Sequence, residues 1–234
     1  MASRIFVIRH GETEWSKEER HTGSTDIPLT ESGEQEVKAT ANAWVGQGKL
    51  IQPKNICRVY CSPRARARQT LDLLGLGIDS GSISSVTPHP TLCVTENLRE
   101  WGYGDYEGLT IAEVRKLRNS RGLDKDRPWN IWRDGCEGGV SPEAVSHRLD
   151  ELIKDMKRFT KGPQGRERAP DIVCIAHGHI LSALALRWAE QPLSHGMRFL
   201  IQTAGVGILC FEHDDLNEPA VLLGASGRHW TSRG

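Results

Sequence analysis

The sequence predicts an α/β fold built on a mostly parallel sheet, and three observations carry that prediction. Apolar, β-branched runs at Ile5–Ile8, Ile56–Cys61 and Asp171–Ala176 read as buried strands. The second and third pass at once into segments that read as helices, the alternation a parallel sheet requires. The first and third end in the same dipeptide, His10-Gly11 and His177-Gly178. Strand ends of this kind are where open α/β sheets bind ligands.

The elements follow in order. Glu14 to Arg20 is charged and reads as helix or loop, and Thr22 to Leu29 is irregular and rich in hydroxyls. Thr30 reads as an N-cap, with Val37, Ala41, Trp44 and Val45 at helical spacing behind it and Gly46-Gln47-Gly48 as the stop. After Ile56–Cys61, Ser62-Pro63 reads as a cap residue with proline at the first helical position. The helix so opened carries Arg64, Arg66 and Arg68 near its positive end, where like charges cost stability unless an anion neutralises them. Arg64 and Arg68 share a face and Arg66 points elsewhere; a solvated basic face is the plain alternative for at least one of the three.

Thr91 to Thr95 reads as a short strand. It leads into 96–108, where glycines among aromatics and carboxylates indicate a tight functional loop. Ile111, Val114 and Leu117 suggest a helix, and Arg121 to Gly135, with Trp129 and Trp132, reads as a long ordered covering loop. Ser141-Pro142 repeats the cap-plus-proline start, and Val145, Leu149, Leu152, Met156 and Phe159 mark an amphipathic helix. Lys161 to Pro170 reads as a surface connection, Ile180 to Trp188 as a buried helix, and Gly207 to Glu212 and Ala220 to Leu223 as the last strands. No linker divides the chain, so residues 1–234 are expected to form one domain, with 96–137 as active-site loop and covering segment.

Bulk properties exclude little but point one way. Thirty basic and thirty acidic residues cancel, which leaves no net field to steer the chain toward nucleic acid or a membrane. Arginine outnumbers lysine, compatible with bidentate grip on oxyanions. Cys57, Cys61, Cys93, Cys136, Cys174 and Cys210 lie mostly in apolar runs and read as reduced core residues, without the second spaced pair a zinc site needs. No secretory leader is visible, and no apolar run approaches the ~20 residues that span a bilayer. A cytoplasmic protein is expected, with the nucleus left open.

The chemistry concentrates at the two His-Gly strand ends. In a parallel sheet they can be neighbours, which would gather two imidazoles and two arginines around one anion. Imidazole can attack phosphorus, guanidinium can grip a phosphoryl oxygen with two bonds, and glycine lets backbone approach the anion.

Here the residues resemble a family. Arg9-His10-Gly11-Glu12-Thr13-Glu14-Trp15, T-G-x-x-D-x-P-L-T-x-x-G at 22–33, S-P-x-x-R-A-x-Q-T at 62–70, the Glu100 loop and Ala176-His177-Gly178-His179 occur in the order of the histidine phosphatase (phosphoglycerate mutase-like) superfamily. Within it the segments 99–108 and 120–137 look like those of fungal sedoheptulose-1,7-bisphosphatases. The resemblance implies a three-layer sandwich, helices on both faces of the sheet. It implies His10 as nucleophile, forming a phosphohistidine, with Arg9, Arg66 and His177 binding the equatorial oxygens. Glu100 is implied as general acid, then base, and Ser16, Thr22, Gly23, Tyr103 and the Gly178 backbone as further substrate contacts. No metal or other cofactor is implied.

The expected function is hydrolysis of a small phosphorylated metabolite, a sugar mono- or bisphosphate such as sedoheptulose 1,7-bisphosphate. Arg121, Lys125, Arg127 and Arg133 are candidates to hold a distal phosphate, with Trp129 and Trp132 walling a sugar chain; a solvated basic loop is the alternative. A mutase is the rival enzyme, but the lysine that mutases carry after the glutamate loop falls here on Ile111. Two further readings are an inactive regulatory relative, against which stands retention of Arg9, Arg66, Glu100 and His177, and a metal-dependent hydrolase using His177 and His179. A phosphorylated small molecule is the expected partner, and a homo-oligomer is left open.

Overall fold

The computed structural model describes residues 2–78, 90–160 and 169–224. Six strands form one sheet: β1 (Ile5–Arg9), β2 (Ile56–Cys61), β3 (Thr91–Val94), β4 (Asp171–Ala176), β5 (Val206–Phe211) and β6 (Pro219–Leu222), in the order β3-β2-β4-β1-β5-β6. The first four are mutually parallel along that order, and β5 and β6 run antiparallel beside β1. The mostly parallel sheet is therefore as predicted, with an antiparallel margin.

The two-residue alternation of the strands divides the core. Ile5, Val7, Ile172, Cys174 and Ala176 face one side, packed against α6 (Pro142–Lys157) and α7 (Gly178–Trp188); Phe6, Ile8, Val173 and Ile175 face the other, packed against α2 (Glu31–Trp44) and α3 (Ala65–Leu73). Both faces being covered explains why β1 and β4 are apolar throughout rather than alternating. Three shorter helices complete the set: α1 (Glu14–Lys17), α4 (Ile111–Ser120) and α5 (Ile131–Asp134).

Local chemistry explains most helix starts. The Thr30 hydroxyl accepts from Gly33 N at 3.0 Å, Ser141 caps α6 with Pro142 at its first position, and Thr110 forms a capping box with Glu113. One start differs from expectation. Ser62 does not cap α3, which begins at Ala65 behind Arg64 and has no side-chain cap. The Ser62 hydroxyl instead lies 2.7 Å from His177 Nε2 and accepts only a long bond, 3.4 Å, from Arg64 N. The covering loop also holds more order than expected, because Asn130 caps α5 and buries Ile131 and Trp132. The connection 161–170 falls largely outside the described residues.

Candidate active site

The register Arg9↔Ala176 brings the C-terminal ends of β1 and β4 side by side. Each chain continues into histidine, and the His10 and His177 rings meet edge to face with centroids 5.1 Å apart. Gly11 is required where β1 turns away: a Cβ there would strike the Gly33 carbonyl and the Val37 side chain of α2. Gly33 reciprocates, because a Cβ on it would run into the Glu12 backbone. The last glycine of the 22–33 motif therefore lets α2 seat against the turn that carries His10.

His10 is buried, and its Nδ1 lies 2.7 Å from the Gly11 carbonyl. A carbonyl can only accept, so Nδ1 carries the proton and Nε2 keeps its lone pair. Burial, with the Arg66 and Arg9 guanidiniums nearby, pushes the imidazole down to about 3. His10 is thus a neutral base of defined tautomer, the form a nucleophilic imidazole needs.

Arg66 and His177 stand behind it. Arg66 is fully buried and donates through Nε to His177 Nδ1 at 3.1 Å. Its terminal nitrogens donate to Thr25 O at 3.1 Å and to Thr22 O at 3.0 Å. With Nδ1 accepting, His177 donates from Nε2 to Ser62 Oγ. Burial, then Arg66 and His10, hold His177 well below the usual imidazole range. Both His177 ring nitrogens face hydrogen-bond partners. The 22–25 loop is pinned from its other side by Glu107, whose carboxylate accepts from Gly23 N and Thr25 N, each at 2.9 Å. Nothing in the sequence pattern singled Glu107 out.

Glu100 joins this group from the 96–108 loop. Its Oε1 accepts from Trp101 N at 2.8 Å and Ile180 N at 3.0 Å, and its Oε2 from His179 N at 3.1 Å. The carboxylate therefore sits on the N-terminus of α7, where backbone N–H groups and the helix dipole favour an anion. Being a helix cap and being a group at the site are the same placement here.

A cavity of about 790 Å³ opens over these residues. Arg9, His10, Ser16, Thr22, Glu100, Tyr103 and Gly178 line it, whereas Arg66 and His177 lie just beneath. Arg9 donates to Ile201 O at 3.0 Å, but its Nε is buried without a partner, beside Gly178. One wall is aromatic: His21 and Tyr103 rings contact at 4.7 Å, Tyr103 Oη is 2.6 Å from His179 Nδ1, and Trp132 packs on His179 at 5.4 Å. Arg198 lies over Trp132 at 4.5 Å and lines the cavity together with Lys17.

Three expected contacts lie elsewhere. Arg121 donates to Asp105 at 2.6 Å, and Arg133 donates to Asp134 at 3.0 Å and to the Pro128 carbonyl. Neither lines the cavity: Arg121 is paired with a carboxylate of the 96–108 loop and Arg133 with its own neighbour Asp134. Gly23 is also absent from the lining, its N–H being held by Glu107. Of the two loop tryptophans, Trp132 walls the cavity and Trp129 stands behind it against Tyr106. Arg198 and His21 are cavity residues for which no role was read from the sequence, and His179, read there only as an alternative metal ligand, lines the cavity too. Arg198 lies in the irregular 189–205 segment, where no periodicity or motif marks it.

The fold and the paired strand-end histidines define an enzyme class acting on phosphoric monoesters, with a phosphoglycerate mutase-like architecture. The chain belongs to the histidine phosphatase superfamily (branch 1), whose family model matches residues 5–220. It is 35% identical to a sedoheptulose 1,7-bisphosphatase of Saccharomyces cerevisiae, across 95% of this chain and 93% of that protein. It is 34% identical to an acid phosphatase of Mycobacterium tuberculosis, across 90% of this chain and 87% of the relative. Among solved structures, an open-reading-frame product of Mycobacterium tuberculosis superimposes with a TM-score of 0.73 at 32% identity, covering 97% of this chain and 99% of the other. All six cysteines are free thiols, and among the described residues no helix is long and apolar enough to cross a membrane.

Proposed function

We propose that the chain is a phosphatase that hydrolyses a small phosphorylated metabolite, a sugar mono- or bisphosphate such as sedoheptulose 1,7-bisphosphate, through a phosphohistidine on His10. The observation that carries the reading is the His10 tautomer: Nδ1–H held on Gly11 O leaves a lone pair on Nε2 at a cavity lined also by Arg9 and Glu100.

Nε2 attacks phosphorus in line with the ester oxygen, the N–P bond forms, and the P–O bond to the sugar breaks. The incoming phosphoryl dianion opposes the anionic form that the α7 N-terminus favours, and Glu100, protonated in that complex, hands its proton to the departing alkoxide. Oε2 is the oxygen to bear that proton, since it accepts one backbone N–H while Oε1 accepts two. A water then attacks the phosphohistidine, Glu100 takes its proton, and inorganic phosphate leaves as His10 regains its lone pair. Arg9, which lines the cavity, supplies guanidinium N–H groups to an equatorial oxygen. Arg66 and His177 bind the others by exchanging their present partners, the loop carbonyls and Ser62, for the anion.

The wall of the cavity supports a polyhydroxylated substrate. His21, Tyr103 and His179 offer hydrogen-bonding edges, and among the described residues Arg198 and Lys17 are in no ion pair. These two cations take the distal-phosphate role instead of Arg121 and Arg133. Ile111, which stands where the resemblance places the mutases' lysine, lines the same cavity and brings no charge of its own.

Enzyme incubated with labelled sugar phosphate and quenched in alkaline detergent is expected to carry label on a base-stable, acid-labile phosphoramidate at His10. His10→Ala is expected to keep its fold, judged by circular dichroism, and to lose both label and turnover. Turnover persisting in that variant at more than about a hundredth of the parent rate would remove His10 as nucleophile.

A further inference from the structure

Arg148 lies on α6, opposite the loop that delivers Glu100, and is 7% exposed. Its guanidinium has no carboxylate partner among the described residues. Instead NH1 donates to the carbonyls of Glu96 (3.1 Å), Asn97 (3.3 Å) and Arg99 (2.6 Å), and NH2 donates to the carbonyl of Glu100 (3.3 Å). Four carbonyls of one five-residue stretch thus converge on one cation. The arrangement is costly: a cation removed from water without a counter-ion is destabilising, and burial pushes Arg148 down to about 10. Its Nε is buried and, among the described residues, without a partner as well. An apolar residue could fill that space at less cost, but it could not gather those carbonyls.

The held stretch ends at Glu100, whose carboxylate must reach three backbone N–H groups on two separate segments. Its direction is set by where its backbone turns, and the carbonyls that define the turn are those Arg148 holds. The Arg148 cation also lies close enough to act electrostatically on the Glu100 carboxylate. We infer that Arg148 is a positioning residue for Glu100, folding the 96–100 turn around its planar fork so that the carboxylate is aimed at the leaving-group oxygen. This rests on the reading of Glu100 as general acid. A guanidinium is suited to the task because its N–H groups diverge in one rigid plane, whereas an ammonium offers a single point of charge.

The test compares kcat/KM for a series of phosphate monoesters, from alkyl alcohols to p-nitrophenol, in Arg148→Met, Arg148→Lys and Glu100→Gln. Glu100→Gln is expected to lose roughly a hundredfold or more on alkyl esters, where the leaving alkoxide needs a proton, and far less on p-nitrophenyl phosphate. Arg148→Met is expected to show the same slope against leaving-group pKa with a loss of roughly tenfold or more at the alkyl end, and Arg148→Lys the same slope in weaker form. Equal loss across the series in Arg148→Met, beside a sloped Glu100→Gln, would make Arg148 a purely structural residue and overturn the assignment. Should Arg148→Met not fold, the slope for Arg148→Lys decides by the same criterion. A flat Glu100→Gln profile removes the general-acid reading itself, and the positioning role with it.

Discussion

At the scale of single residues, the site runs on tautomers and unpaired donors rather than on bulk charge. The Gly11 carbonyl selects the Nδ1–H form of His10, and burial beside two guanidiniums keeps the ring neutral far below the ordinary imidazole range. The His10 ring is therefore expected to stay neutral at pH 5, read from its ring-nitrogen chemical shifts; a midpoint near 6.5 would contradict this electrostatic reading. Charge partners decide the other arginines. Arg121 and Arg133 are spoken for by Asp105 and Asp134, while Arg198 lies on Trp132 and, among the described residues, is in no ion pair. Arg198→Ala is expected to raise KM for a sugar bisphosphate roughly tenfold more than for the matching monophosphate, and Arg121→Ala to leave that ratio within about twofold. An Arg198 effect equal on both substrates would dissociate Arg198 from the distal group. These differences were hidden in the sequence because a basic loop residue looks alike whether its neighbour in space is a carboxylate or an empty cavity.

Among the elements, strands and caps were the most legible. β2 and β4 span the predicted residues, and Thr30 and Ser141 cap the helices predicted behind them, since these depend on local patterns. Ser62 shows the limit of local reading: a hydroxyl that would cap α3 in isolation is claimed by a histidine 115 residues away in sequence. Arg148 shows another limit, for on a helix wheel it is merely a polar position near the edge of an apolar stripe. The contact between α2 and the His10 turn was equally silent, although its two glycines were visible. Gly33→Ala is expected to destabilise the protein by about 1–3 kcal/mol, because its Cβ would meet Glu12 backbone that cannot rotate aside. Urea denaturation measures this, and a loss below about 0.5 kcal/mol would mean that α2 shifts without cost.

On the scale of the whole molecule, the sheet imposes a pH signature on stability. His10, His177 and His179 are all held below the ordinary histidine range, chiefly by burial. Their unfolded pKa is about 6.5, so below that pH the unfolded chain binds protons that the folded chain refuses. Stability is expected to be insensitive to these groups above about pH 7 and to fall as pH drops from about 6.5 toward 3. Urea midpoints at pH 7.5, 6 and 5 check the sign; a midpoint that rises on acidification would contradict it. The fold class was readable because two strands sharing an ending must be neighbours to share a ligand, and the antiparallel margin was not, since β5 and β6 carry no such mark. Strand order has a consequence for biogenesis. β1 is made before the other five strands, yet its neighbours, β4 and β5, are the fourth and fifth made. A nascent chain that stops short of Asp171 leaves the opening strand with bare edges left and right, a target for chaperones and for aggregation. The first imidazole meets the second only after β4 has been made, so no polypeptide that stops before His177 carries the paired rings.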